Sequence, residues 1–191
     1  MVGRDRLQKG LTMSSKNIYP EPDGDNTVNC EISREGGRTA RIFLCVVDNT
    51  TECRNAIYFS ARRTMRAGGS LGLLYILEPA EFQHWMSVEE KMRQEAREEA
   101  EDFLKQYSSQ AQGWTGETPI LYVREGKPAE TILSLIEEDP RISILVLGAG
   151  TDKKGPGPLV SSIGGRMSGK FPIPITIVPG NLSQDQLDML T

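Results

Sequence analysis

The stretch Ile42-Phe43-Leu44-Cys45-Val46-Val47, followed directly by Asp48, is the part of the sequence that indicates the fold most clearly. Six consecutive apolar residues are too few for a typical helix, and they lack the alternation of a half-exposed strand. A short, wholly apolar run is typical of a strand buried on both faces, as in a parallel sheet. Four more runs are predicted to be strands of this sheet, at residues 71–77, 119–123, 142–147 and 175–178.

Segments with helical spacing of apolar residues separate these strands. Asn49 and Glu52 have the spacing of a capping box, which predicts a helix that begins there and ends before Gly68. A long, charged helix is predicted after Ser87, with one apolar stripe made of Val88, Met92, Ala96, Ala100, Phe103, Leu104 and Tyr107. Strands that alternate with helices predict a parallel sheet with right-handed crossover connections.

Composition limits the classes of function. The 191 residues carry a net charge of −4, so the chain lacks the basic footprint expected of a protein that binds nucleic acid. No apolar run approaches the roughly 18 residues that cross a bilayer, and we expect neither a membrane span nor an export signal. The three cysteines have no metal-ligand spacing, and we expect them to be reduced thiols of a cytoplasmic protein.

The same composition suggests three parts of the chain. Residues 1–40 are poor in large apolar side chains, which predicts a disordered leader. Residues 41–180 hold all the predicted strands and helices and form the domain. Residues 181–191 are expected to be a polar tail or a short amphipathic helix.

The candidate site lies at the carboxyl ends of the strands, because ligands of open parallel sheets bind there, where the strand order reverses. Asp48 ends the first strand, and the glycine-rich loop at residues 148–158 follows the fourth. A phosphate could be held by the backbone N–H groups of such a loop, by two lysines within it and by the hydroxyls of Ser161 and Ser162. Alternatively, Asp48 only begins a helix and the loop is a plain surface loop.

Together, a first strand that ends in Asp48 and a late glycine loop resemble the universal stress protein family. The segment around the Gly126 turn and the proline-led last strand, at residues 171–179, are also similar to this family. The resemblance covers residues 41–180. It implies an open five-stranded parallel sheet of order 3-2-1-4-5 with helices on both faces, of the adenine nucleotide alpha hydrolase-like kind.

The phosphate loop of the family is only partly kept. The nucleotide-binding branch has Gly, two residues, Gly, nine residues, Gly and then Ser or Thr. In this chain those four positions hold Gly148, Thr151, Ser161 and Ser162, and Gly150 stands where the family has Arg. Thr151 and Ser161 add a Cβ where the family keeps the backbone bare, which narrows the pocket.

By this resemblance, the chain is a non-catalytic module of the stress response that binds ATP or a related adenine nucleotide and forms a homodimer through its last strand. Ile76 would lie against the adenine. The residues expected to bind the nucleotide are Asp48, Ile76, Gly148, Gly150, Thr151, Ser161, Ser162 and Ile163.

Two other hypotheses remain open. The replacement of the family glycines by Thr151 and Ser161 also fits a protein-interaction domain with a vestigial pocket. An enzyme would need a positioned base, a cationic clamp or a metal site. The only histidine of the chain, His84, is expected on the surface, whereas Cys45 and Cys53 are expected to pack in the core.

Overall fold

We describe a computed structural model of the chain, which covers residues 41–78, 86–153, 155–165 and 167–191. Five strands and five helices follow one another along these ranges: β1 Ile42–Val47, α1 Thr51–Ala67, β2 Ser70–Leu77, α2 Met86–Thr115, β3 Ile120–Glu125, α3 Pro128–Glu138, β4 Ile142–Ala149, α4 Pro158–Gly164, β5 Ile175–Pro179 and α5 Gln184–Leu190. The predictions for residues 1–40 and for His84 lie outside what the structure describes, as does the side chain of Val88, at which the predicted apolar stripe starts.

The five strands form one parallel sheet in the order β3-β2-β1-β4-β5. This confirms the parallel sheet and the order implied by the family resemblance. β1 is central, and all six of its residues are buried, as its unbroken apolar run predicts. The chain adds β2 and β3 on one side of β1 and then returns to add β4 and β5 on the other. The strand order therefore reverses between β1 and β4.

Two separate apolar cores cover the two faces of the sheet. Alternate residues of β1 point to opposite faces, so Leu44 packs with α3 and α4, whereas Cys45 packs with α1 and α2. On the first face, Ile132 of α3 and Ile163 of α4 are completely buried. On the second face, Ile57 of α1 is completely buried, and α2 and α5 complete the layer.

The start of α1 differs from the prediction. The capping box of Asn49 with Glu52 is wrong, because the residue that caps α1 is Thr50, and its side chain makes no capping hydrogen bond. The carboxylate of Asp48 instead accepts hydrogen bonds from the amide and the hydroxyl of Thr50. This local turn shifts the first helical residue to Thr51.

The long charged helix is confirmed, but its apolar stripe is shorter at one end and longer at the other. Met92 is 40% exposed and Ala96 is also exposed, so the predicted contact of these two residues with the sheet is wrong. Among the side chains of α2 that the structure describes, from Lys91 on, the buried ones begin at Ala100 and continue to Ala111. At about 1.5 Å per residue a helix of this length spans about 45 Å, more than the strands beneath it. Within the described ranges, no helix is both long and apolar enough to span a membrane.

The last residues form α5 and pack on α1. Ser183 and Gln186 form a capping box. The Ser183 amide donates to the Gln186 side chain at 2.9 Å, and the Gln186 amide donates to the Ser183 hydroxyl at 3.3 Å. Leu187 is buried against α1. Asp188 accepts a hydrogen bond from the Tyr58 hydroxyl at 2.8 Å and pairs with the Arg62 guanidinium at 3.0 Å. Of the two alternatives for residues 181–191, the structure therefore has the helix.

Candidate functional site

A deep cleft lies over the carboxyl ends of β1 and β4, where the strand order reverses. Its volume is about 880 Å³, and both Asp48 and the glycine-rich loop after β4 line it. A cavity of this size is in the range that holds a small organic ligand. The two segments that the sequence singles out therefore converge on one site.

Asp48 lies on the rim of the cleft and is exposed. It is the first residue after β1, and one of its carboxylate oxygens accepts the hydrogen bonds from Thr50 described above. These bonds fix the direction of the side chain. The second oxygen remains available to a ligand hydroxyl or amine, because a carboxylate accepts several hydrogen bonds.

One wall of the cleft is apolar. Val46 and Leu147 are contributed by the ends of β1 and β4, and Ile76 by β2. Leu159 of α4 and Met167, just after that helix, add to the apolar lining and pack against the same core as Val46 and Leu147. Apolar walls with a few polar groups at one end are typical of sites that take a flat, partly polar molecule.

The end of β4 passes very close to α1. A side-chain carbon on Gly148, the last residue but one of this strand, would lie 3.0 Å from the carbonyl oxygen of Glu52, which favours glycine at this position. The loop then turns back through a hydrogen bond of 3.1 Å from the Gly155 amide to the Asp152 carbonyl. Gly157 has a φ of +92° and precedes the first residue of α4, a conformation that favours glycine.

Five of the eight residues predicted to bind a ligand line the cleft: Asp48, Ile76, Gly148, Gly150 and Ser162. The other three do not line it. Thr151 is exposed on the loop, and the Ser161 hydroxyl donates at 2.8 Å to the Gly157 carbonyl within its own helix. Ile163 is completely buried in the core beneath α4. The part of the loop that corresponds to the family glycines is therefore split between the cleft and the outside.

The charged residues of the cleft are mostly ones that the sequence analysis missed. Lys127 and Glu130 come from the start of α3, Glu52 from α1 and Glu78 from the residue after β2. All follow the carboxyl end of a strand, and this shared position was the signal that could have identified them. By contrast, Lys153 is exposed and does not line the cleft, and Lys154 lies outside the described residues.

The ionisation of the residues around the cleft follows from their surroundings. Hydrogen bonds from its own backbone amide and from the Thr51 hydroxyl lower the pKa of Glu52, so its carboxylate is charged at neutral pH. Burial raises the pKa of Cys53 to about 12 and raises that of Cys45 as well. Both thiols are free and buried, which confirms that they pack in the core. Throughout the described ranges, no three acidic, cysteine or histidine side chains are grouped closely enough to hold a metal ion.

Comparison with known proteins agrees with this architecture. The sequence model of the Universal stress protein family matches residues 39–179. No curated protein sequence matches the chain. Among solved structures, the universal stress protein UspA from Lactobacillus plantarum is 17% identical with a TM-score of 0.61, and the match covers 75% of this chain and 99% of that one.

Two further solved structures have the same fold. A universal stress family protein from Burkholderia pseudomallei is 16% identical with a TM-score of 0.57, covering 73% of this chain and 96% of that one. The universal stress protein from Archaeoglobus fulgidus in complex with dAMP is 16% identical with a TM-score of 0.53, covering 74% and 99%. The family model spans most of the chain, and the strand order agrees with it: the chain belongs to the universal stress protein family.

Proposed function

We propose that this chain is a non-catalytic module of the stress response that binds an adenine nucleotide in the cleft between β1 and β4. The observation that carries the proposal is the cleft of about 880 Å³, in which Asp48 and the loop after β4 face one another. Membership of the family adds support, as does the related protein from Archaeoglobus fulgidus, whose structure holds dAMP.

The lining of the cleft suits the two ends of a nucleoside. Adenine is flat and weakly polar, and it would lie on the apolar wall that includes Ile76 and Leu147. The free oxygen of Asp48 would accept hydrogen bonds from ribose hydroxyls. Gly148, Gly150 and Ser162 would face the phosphates, with backbone amides and one hydroxyl as donors.

The test begins with the nucleotide content of protein purified without added ligand, measured by chromatography after denaturation. Displacement of a fluorescent adenine analogue then gives affinities. We expect Asp48→Ala and Ser162→Ala each to weaken binding about fivefold or more, because each removes one hydrogen bond to the ligand. Asp102→Ala and Ser109→Ala are matched controls, since both residues are exposed on α2, away from the cleft.

Two results would count against the proposal. If neither Asp48→Ala nor Ser162→Ala changes the affinity, the assignment of the site is wrong. If no adenine compound binds at millimolar concentration, the alternative of a protein-interaction domain with a vestigial pocket replaces this one. The exposed position of Thr151, where the family has glycine in its phosphate loop, is the observation that favours that alternative.

We further propose a homodimer through β5. This strand is at the edge of the sheet, and Ile177 on it is 43% exposed. An edge strand offers unpaired backbone groups to a second copy, and two-fold pairing closes the assembly. Pro172 and Pro174 limit the pairing to the few residues that follow them. A monomer across micromolar concentrations in analytical ultracentrifugation would contradict the dimer, and Ile177→Lys should dissociate it.

We also propose that the protein acts in the cytoplasm. The free, buried thiols of Cys45 and Cys53 suit a reducing compartment. Cell fractionation followed by detection of the chain tests this location, and recovery with secreted proteins would contradict it.

A further inference from the structure

The cleft carries several carboxylates, and one of them, Glu52, lies beside Gly150 in the loop that would face the phosphates. Among the residues that the structure describes, the ionisable groups lining the cleft are five carboxylates and one ammonium group, whose formal charges sum to −4: Asp48, Glu52, Glu78, Glu130, Asp152 and Lys127. A pocket for a triphosphate usually surrounds its ligand with cations. Gly150 stands where the family resemblance places an arginine, so this chain also lacks that positive charge.

Close packing and a hydrogen bond hold Glu52 beside the loop after β4. Its Cβ and Cγ lie so close to Gly180 that a side-chain carbon there would collide with both. Its Oε1 would be 2.8 Å from a side-chain carbon on Gly150, and its Oε2 accepts a hydrogen bond of 2.9 Å from the Thr51 hydroxyl. The charged group is therefore held against the loop and has little freedom to move away from a ligand.

We propose that Glu52 makes the cleft selective for adenine ligands of low charge, adenosine or a monophosphate, and against ATP. This inference rests on the proposed function, since it concerns the ligand of the same cleft. Adenine and ribose carry no charge, so the apolar wall and Asp48 bind them equally well whatever follows on the 5′ oxygen. Each added phosphate brings further negative charge toward this carboxylate.

The magnitude follows from Coulomb's law. Two unit charges about 6 Å apart in water change an affinity about threefold, and a less polar surrounding increases the effect. ATP carries several negative charges, so we expect adenosine to bind at least about tenfold more tightly than ATP, with AMP between them. Among the described lining residues, the one ammonium group, that of Lys127, offsets only part of this repulsion.

The experiment measures the affinities of the full chain for adenosine, AMP and ATP by displacement of a fluorescent adenosine analogue, with EDTA present so that ATP keeps its full charge. Glu52→Gln keeps the shape of the side chain and should narrow the preference for adenosine over ATP at least about threefold. Glu137→Gln is the matched control, because this residue is exposed on α3 outside the cleft and changes the net charge equally.

A second measurement tests the proposal on the unchanged protein, so it does not depend on the folding of a variant. Raising the salt concentration from 20 mM to 300 mM shortens the screening length and should also narrow the preference for adenosine. If ATP binds as tightly as adenosine, the selectivity is wrong and nucleotide binding stands. The same conclusion follows if Glu52→Gln changes the preference for adenosine no more than Glu137→Gln does and added salt leaves that preference unchanged. If none of the three compounds binds, the proposed function and this inference both fail.

Discussion

Replacing Gly148 with alanine tests the close packing of the end of β4 on α1. The new carbon would lie 3.0 Å from the Glu52 carbonyl oxygen and 3.3 Å from the Cys53 amide nitrogen, both of which are backbone atoms. Because backbone cannot rotate away, α1 or β4 must shift by a few tenths of an ångström. Overpacking of this kind costs about 1–3 kcal/mol. The alanine recovers about 0.4–1 kcal/mol by restricting the unfolded chain.

The expected net loss in the free energy of unfolding is about 1–2 kcal/mol. For a chain of this length each kcal/mol lowers the midpoint of thermal unfolding by about 2–4 °C, so we expect a decrease of about 2–8 °C. The shift also moves the start of α1 relative to the loop, and binding of an adenine ligand should weaken.

Gly164→Ala is the matched control for this prediction. Gly164 is the last residue of α4, and a side-chain carbon there would have no atom within 4 Å. The same substitution should therefore raise the free energy of unfolding by up to about 1 kcal/mol. Calorimetry gives the free energy of unfolding of both variants. If Gly148→Ala is as stable as Gly164→Ala, the close approach of β4 to α1 does not exist.

Two further predictions concern parts of the domain outside the cleft. Leu187→Ala should lower the free energy of unfolding by about 2–5 kcal/mol in urea denaturation, because this α5 side chain is 1% exposed. Met189→Ala, which is 79% exposed, should change it by less than about 0.5 kcal/mol, and equal effects would mean that α5 does not pack on α1. Hydrogen bonds from Arg141 lower the pKa of Asp139 to about 2, so Asp139→Asn should cost about 1–3 kcal/mol at pH 7. Since this pKa lies below the unfolded value of about 3.9, the advantage of the unchanged protein should be complete above that pH and vanish as the pH falls toward 2; a pH-independent difference would refute the pairing.

Much of the fold could be predicted because the central strand, β1, is buried on both faces. A central strand buries more apolar surface of the six β1 residues than any other conformation would. Their run therefore identifies a central strand from the sequence alone. The position of the cleft followed from the same reasoning, since the carboxyl ends of parallel strands meet at one edge.

The errors came from places where local and long-range contacts compete. Asn49 has a suitable spacing for a cap. In the structure, however, Asp48 accepts hydrogen bonds from the amide and the hydroxyl of Thr50, and this turn makes Thr50 the residue that precedes the helix. Met92 has the correct helical phase to face the sheet, but α2 is longer than the layer that it covers. Sequence periodicity gives the face of a helix and says nothing of where the neighbouring layer ends.

The chemistry of the cleft was the least predictable part. The importance of Glu52 depends on Gly150 and Gly180, which are about 100 and 130 residues away along the chain and leave space for its side chain. Such a juxtaposition has no local signal. The glycine pattern indicated a phosphate loop, whereas in the folded chain carboxylates from other elements line the same cleft.

The overhang of α2 has a consequence for the local stability of the domain. Every side chain from Lys91 to Glu99 is exposed, and pairs one turn apart, such as Lys91 with Glu95 and Arg97 with Glu101, support this part of the helix. Each such pair contributes only about 0.2–0.5 kcal/mol, which is less than isolated helices need in order to persist in water. Amide protons along α2 should therefore exchange with solvent in a gradient, fastest near Met86 and slowest near Leu104, so that this one helix opens from a single end.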